Sequence, residues 1–251
     1  MKKLTSAERL IVAADFKMDP TKGQNRQWVI DQVLALADKL SGIGCYIKVN
    51  SALRAYGYDL ITVLHNRGLK VFADLKLYDI PETLATDAAM LAQLKPELLT
   101  VACSAGKPSI QALVLALPEI EILAVTVLTS LTDAHCFDIH GSSIGLAISN
   151  LAQLARDSGV GGVVGSAREA GPLRLIIGND KTINTPAIRP VWSIVVGDDQ
   201  NPERIMTPAA AITAGVDRIV VGRPILRAPN PRDAVMRTIE EIESAMTSMA
   251  A

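Results

Sequence analysis

The sequence predicts a single (β/α)8 barrel, and three observations carry that prediction. Short β-branched runs alternate with amphipathic helical stretches along the chain, and eight strand-then-helix units follow one another. The strand runs are apolar on both faces, as strands covered by helices should be. The length, 251 residues, suits one such barrel, so one domain over residues 1–251 is expected. A doubly wound open sheet is the alternative that the same alternation allows.

The strands are expected at Leu10–Ala14, Cys45–Val49, Lys70–Leu75, Leu98–Cys103, Ile120–Leu128, Val160–Val164, Thr182–Thr185 and Arg218–Val221. Each is a short run rich in Val, Ile, Leu or Thr; Thr182–Thr185 is the least apolar. The helices are expected at Gln24–Leu40, Ser51–Asn66, Glu82–Leu94, Ile144–Asp157 and Arg232–Met246. Asn230 before Pro231, and Thr207 before Pro208, have the cap-then-proline order of a helix start. The longest irregular stretch, Ala187 to Met206, follows the seventh strand, and loops of that length are commonly functional.

Composition narrows the classes of function. A net charge of -1 gives no bulk attraction to nucleic acid or to an anionic membrane, and 4% aromatic residues is low for a base-stacking platform. No apolar run approaches the length of a membrane span, and the apolar run after Lys2 and Lys3 ends at Asp15. Cys45, Cys103 and Cys136 are odd in number and lack metal-type spacing, so they read as buried thiols in a reducing, cytoplasmic setting.

The third strand ends in an unusual way. Val71 to Thr83 reads VFADLKLYDIPET, with Asp74, Lys76 and Asp79 crowded before a helix start at Pro81. Residues two apart in a strand share a face, so Asp74 and Lys76 project with Phe72. The same parity places Asp15 with Ala13 and Ile11, and Lys48 with Tyr46. Three neighbouring strands thus present charges at their carboxyl ends, where barrel active sites are built. Strand-end charges reaching solvent, or a structural ion-pair network, are the plainer readings. However, a core gains little from desolvated ion pairs, so their concentration favours function. Asp79 lies past the strand and has two readings: a helix cap, or a residue reaching across a subunit interface.

A second signal is RIVVGRPI at Arg218 to Ile225, a strand running into Gly222 and Arg223. Loops after strands seven and eight of barrels commonly bind phosphate through backbone amides and a cation. Arg189 and Gln200, in the long preceding loop, join this group. His65, His135 and His140 have no metal or triad spacing and read as surface or loop residues. No dinucleotide fingerprint or nucleophile elbow is present. The two carboxylates of DLKLYD could hold a divalent ion, but the lysine between them favours direct electrostatics.

The stretch Asp74-Leu-Lys76-Leu-Tyr-Asp79-Ile80-Pro81-Glu-Thr83 resembles the D-x-K-x-x-D signature of the orotidine 5'-monophosphate decarboxylase family. The resemblance runs from AAD at Ala13 through IKVN, VTVLTS, TPAIRP, DDQ and IMTP to VVGRPI. It implies decarboxylation of orotidine 5'-monophosphate to UMP, the last step of de novo pyrimidine synthesis, with no cofactor. It also implies that Lys76 protonates the carbon losing CO2, that Asp74 sits near the substrate carboxylate, and that Lys48 and Asp79 complete a charge row. By the same resemblance, Asp15 and Thr83 meet the ribose, Thr129 and Ser130 meet the pyrimidine, and Arg189, Gln200, Gly222 and Arg223 grip the phosphate. Asp79, Ile80 and Thr83 would come from the second subunit of a homodimer with shared sites. No metal, nucleic acid or membrane partner is expected.

The chain departs from the family pattern in places. Thr100 to Gly106 reads TVACSAG where bacterial relatives usually read TVHASGG, and Ala187 stands where glycine is usual. The stretch from Val191 to Arg204 is long and begins with apolar residues; Trp192 to Val196 is expected to pack over the site or against a neighbour. Two alternatives stay open: a nucleotide-binding barrel without catalysis, and the Mg2+-dependent sugar-phosphate branch of the superfamily. Ile80-Pro81 after Asp79, where that branch continues into Ala-Gly, disfavours the latter.

Overall fold

The structure, a computed structural model, describes residues 4–193 and 206–250. Eight parallel strands close into a barrel in the order of the sequence: β1 (Leu10–Ala13), β2 (Tyr46–Val49), β3 (Lys70–Leu77), β4 (Leu98–Ala102), β5 (Glu121–Val125), β6 (Gly162–Val164), β7 (Thr182–Thr185) and β8 (Arg218–Val221). β8 pairs with β1 through Ile11 and Val220, so the sheet has no edge and the open-sheet alternative falls. The helices of the first half are α1 (Arg26–Leu40), α2 (Ser51–Tyr56), α3 (Leu60–His65), α4 (Pro81–Leu94) and α5 (Lys107–Ala116). The second half adds α6 (Asp133–His140), α7 (Ile144–Asp157), α8 (Ala170–Ile177), α9 (Pro208–Thr213), α10 (Arg223–Leu226) and α11 (Pro231–Ala250). Among the described residues, no helix is long and apolar enough to cross a membrane.

Alternation along each strand produces two packed layers. Ile11, Ala13, Tyr46, Phe72, Leu98, Leu123 and Val220 fill the barrel interior, while their neighbours, such as Val12, Ile47, Val71 and Ala73, pack outward against the helices. Fully burying one such side chain contributes about 1.5–3 kcal/mol. The three cysteines are all free and buried in the outer layer.

Several boundaries differ from the expected ones. The helix expected over Ser51–Asn66 is two helices. Gly57, at φ 102°, donates its N–H to Leu53 and ends the first of them; few residues but glycine tolerate that backbone. β5 stops at Val125 instead of Leu128, whose carbonyl accepts from Leu131 in the following turn. β6 begins at Gly162 rather than Val160, and β3 runs two residues past Leu75. His65, His135 and His140 all sit on helices, and His135 completes a capping box with Thr132.

The amino-terminal end of the barrel is closed by a polar layer. Arg218 lies bidentate against Glu121, at 2.9 and 2.8 Å, and its Nη1 also reaches Asn184 Oδ1 at 3.2 Å. Its guanidinium sits 5.3 Å from the centre of the Tyr46 ring. Two glycines make room for this layer. A Cβ on Gly161 would meet Glu121 Cγ at 2.7 Å, and one on Gly162 would meet the Thr182 carbonyl oxygen at 2.6 Å.

Candidate active site

At the opposite end, the carboxyl ends of β1, β2 and β3 bring Asp15, Lys48, Asp74 and Lys76 into one hydrogen-bonded row. Lys48 Nζ donates to Asp15 Oδ2 at 2.7 Å and to Asp74 Oδ2 at 2.9 Å, and Lys76 Nζ donates to Asp74 Oδ1 at 2.7 Å. Both oxygens of Asp74 thus carry an ammonium group. Lys48 and Asp74 are buried, whereas the side chains of Lys76 and Asp15 are 34% and 50% exposed. The row is buried at its centre and exposed at its ends.

Burial and charge oppose each other here, and charge wins. Burial would push the Asp74 carboxyl up, but Lys48 and then Lys76 hold it down at about 2, so it is ionised at neutral pH. Burial would likewise lower the Lys48 ammonium, yet Asp74 and Asp15 raise its pKa above the ordinary value. Both groups therefore remain charged in a site that alone would neutralise them.

Lys76 reaches this position by an irregular route. Between β3 and β4 the register passes from Ala73↔Leu99 to Leu77↔Val101, so three residues of β3 lie opposite Thr100 alone. Lys76 takes a left-handed backbone, φ 48°, uncommon for a residue with a Cβ. The two-residue parity read from the sequence still ends with Lys76 beside Asp74, but a bulge delivers it there, not a regular strand.

The row faces a cavity of about 460 Å³, within the range of small-molecule sites. Phe72 and Val220 form part of its lining near the barrel axis, and Thr129, Arg189, Gly222 and Arg223 line it with the loops after β5, β7 and β8. Ala187 lines it too and is left-handed, φ 63°, so the alanine in place of the family's usual glycine is strained. A second hollow of about 260 Å³, lined by Phe16, Asn50 and Ser51, shares the same four charges; neither Asn50 nor Ser51 carries a functional signal in the sequence.

The remaining expected residues lie elsewhere. Asp79 and Ile80 do not line the 460 Å³ cavity; they border a separate, open hollow with Tyr78, Pro81 and Ala105. Asp79 accepts the Ile80 N–H at 2.7 Å, ahead of α4, rather than an N–H within the helix. Thr83 is exposed on the first turn of α4, and Ser130 is exposed beyond Thr129. Gln200 lies outside the described residues. Trp192 does not line the cavity either. It packs on the outer core with the Arg237 guanidinium of α11 4.9 Å from its ring, and residues 194–196 of the same apolar stretch lie outside the described residues.

Comparison with known proteins identifies the family. Residues 8–238 match the model of the orotidine 5'-phosphate decarboxylase / HUMPS family. The chain is 38% identical over 252 residues to orotidine 5'-phosphate decarboxylase of Methylobacterium sp. (strain 4-46), covering 96% of this chain and 98% of that one. It is also 38% identical to the enzyme of the same name from Hahella chejuensis, covering 96% and 100%. The crystal structure of orotidine 5'-phosphate decarboxylase from Lactobacillus acidophilus superposes with a TM-score of 0.74 at 29% identity, covering 94% of this chain and 99% of that one. With residues 8–238 matched by the family model and similarity over nearly the full length of both chains, the chain belongs to the orotidine 5'-phosphate decarboxylase / HUMPS family.

Proposed function

We propose that this chain, as a single catalytic domain, decarboxylates orotidine 5'-monophosphate to UMP in pyrimidine synthesis, using its own charges in place of a cofactor. The observation that carries the reading is the Lys76 ammonium, hydrogen-bonded to Asp74 at 2.7 Å and facing the cavity from the end of a buried row. Loss of CO2 leaves an electron pair in the plane of the pyrimidine ring, where conjugation cannot spread it. A fixed cation in a dry site stabilises that charge without reorganising at the moment of reaction. The C–C bond breaks, its electrons stay on the ring carbon, and Lys76 donates the proton that forms the new C–H bond. The neutral amine then regains a proton from solvent.

The other charges have supporting roles. Asp74, ionised, accepts from both the Lys76 and the Lys48 ammonium groups and sits where the departing carboxylate would lie. Lys48 and Asp15 fit the ribose hydroxyls, and Thr129 fits the ring edge. Arg189 and Arg223 with the Gly222 backbone fit the phosphate across the cavity; a part for Gln200 rests on the family resemblance alone. Binding energy gathered at the phosphate, away from the reacting carbon, can be used to hold the ring in register. Both Asp74 oxygens are occupied by ammonium groups, which supports direct electrostatics over the Mg2+ chemistry of the sugar-phosphate branch.

The proposed assembly is a homodimer. Tyr78 and Ile80 are 65% and 62% exposed beside Asp79, an apolar surface suited to a partner. In that arrangement Asp79, Ile80 and Thr83 of each subunit complete the other's site, and the 260 Å³ hollow beside the charge row is the open space for them. The buried free thiols fit a reducing, cytoplasmic setting.

The test is absorbance of orotidine 5'-monophosphate with purified protein and EDTA. The orotate chromophore should disappear with wild type, while Lys76→Ala should lose about 10⁴-fold or more in kcat. UMP binding without loss of the chromophore would identify a silent nucleotide-binding barrel instead.

A further inference from the structure

We propose that Thr100 and Arg54 are positioning residues that clamp the peptide group between Leu75 and Lys76, and that this clamp sets the reach of the Lys76 ammonium. The inference rests on the decarboxylase reading above and deepens it.

The bulge that turns Lys76 toward the row removes its peptide group from the strand ladder. Buried backbone groups cannot go unpaired without cost, so the lost bonds must be replaced. Two side chains replace them. The Lys76 N–H donates to Thr100 Oγ1 at 2.9 Å, and the Leu75 carbonyl accepts from Arg54 Nη2 at 2.8 Å. One comes from β4 and the other from α2, so the peptide is held at both its donor and its acceptor.

Thr100 does more than fill a backbone vacancy. It is fully buried, and its hydroxyl donates to Asp74 Oδ1 at 3.0 Å, the oxygen that also receives Lys76 Nζ. A single hydroxyl therefore ties the backbone of the lysine to the carboxylate that steers its ammonium. The job needs a group that accepts and donates at once, which a hydroxyl does and a valine of the same shape does not. Left-handed residues with a Cβ persist where their surroundings over-determine them. Thr100 and Arg54 supply that over-determination at φ 48°.

The experiment compares Thr100→Val, Thr100→Ser and Arg54→Met with wild type in five readouts: kcat and KM for orotidine 5'-monophosphate, the pH profile of kcat, UMP affinity by calorimetry, and Tm. A clamp that fixes reach predicts about a 10²-fold fall in kcat for Thr100→Val. KM and UMP affinity should stay within about threefold, because the phosphate and ribose contacts remain. Thr100→Ser should recover most of the lost kcat. The acid limb of the pH–kcat profile should move up in Thr100→Val, since Asp74 loses a hydrogen bond that favours its charged form. Arg54→Met should lower kcat about fivefold, again with UMP binding unchanged, and it keeps the proposal testable should Thr100→Val not fold.

Wild-type kcat in Thr100→Val or in Arg54→Met overturns the clamp. So does an equal loss in Thr100→Ser, or a loss of kcat matched by an equal loss of UMP affinity, since either marks a purely structural role. A wild type inert toward orotidine 5'-monophosphate removes the decarboxylase reading and the clamp with it. An active wild type with indifferent variants removes the clamp alone.

Discussion

The two ends of the barrel interior each hold a charged network, and the contrast between them is that one is closed within the barrel and the other faces a cavity. At the amino-terminal end, Arg218 meets Glu121 through both terminal nitrogens, with Thr182 and Asn184 adding neutral partners. None of these four lines the 460 Å³ cavity. At the carboxyl-terminal end, Asp15, Lys48, Asp74 and Lys76 alternate in sign, and the outer members turn toward the cavity. The Arg218–Glu121 pair thus stands apart from that cavity and ties β8 to β5. The second row keeps Lys76 directed at a ligand space, and a strained backbone is retained to keep it there.

Single substitutions should separate the two networks. The largest effect is expected for Lys76→Ala, which removes turnover while leaving Tm within a few degrees, because the group lies at the mouth of the row; parallel kinetics and calorimetry check both. A Tm collapse in that variant would erase the distinction between the two ends. Glu121→Ala should do the reverse. It strands Arg218 inside the barrel, costs about 3–5 kcal/mol in urea unfolding, and leaves kcat of the folded fraction near wild type. Loss of kcat without loss of stability would place the amino-terminal layer in the chemistry after all.

Titration sharpens the comparison on a smaller scale. The folded pKa of Asp74 is depressed from 3.8 to about 2. Its contribution to stability is therefore present above the ordinary carboxylate value and lost as pH falls through about 2. Two pKa units correspond to roughly 2–3 kcal/mol. Wild type should shed about that much between pH about 4 and 2 beyond what Asp74→Asn sheds, as read from urea midpoints at each pH. Equal slopes would mean that the row contributes nothing to folding. The smallest effect is expected at Ala187, whose φ of 63° suits glycine. Ala187→Gly should gain about 1 kcal/mol, and an unchanged denaturation midpoint would show that the loop accommodates alanine without strain.

Much of this arrangement was legible in the residues. Alternation of β-branched runs and helical stretches implied the barrel, since strands covered on both faces must be apolar throughout. Two-residue parity placed Asp15, Lys48, Asp74 and Lys76 on one side. Spacing alone left two readings for Asp79, which does not line the cavity, and did not show that Trp192 belongs to the outer core beside Arg237. Those positions depend on turns, whose geometry is set by what they pack against. The break at Gly57 was visible only as a glycine within a helical pattern, a feature that many helices tolerate.

By itself, then, the sequence determined which residue types meet at the carboxyl end of the barrel, because strand periodicity is a local property that survives into the fold. The tertiary structure decided how they meet. The bulge opposite Thr100, the left-handed turn at Lys76, and the capture of its peptide by Arg54 and Thr100 all require chain segments 20 or more residues apart. Such contacts form only when α2, β3 and β4 close around the same peptide. Periodicity carries no record of a hydrogen bond that replaces one lost from a strand ladder.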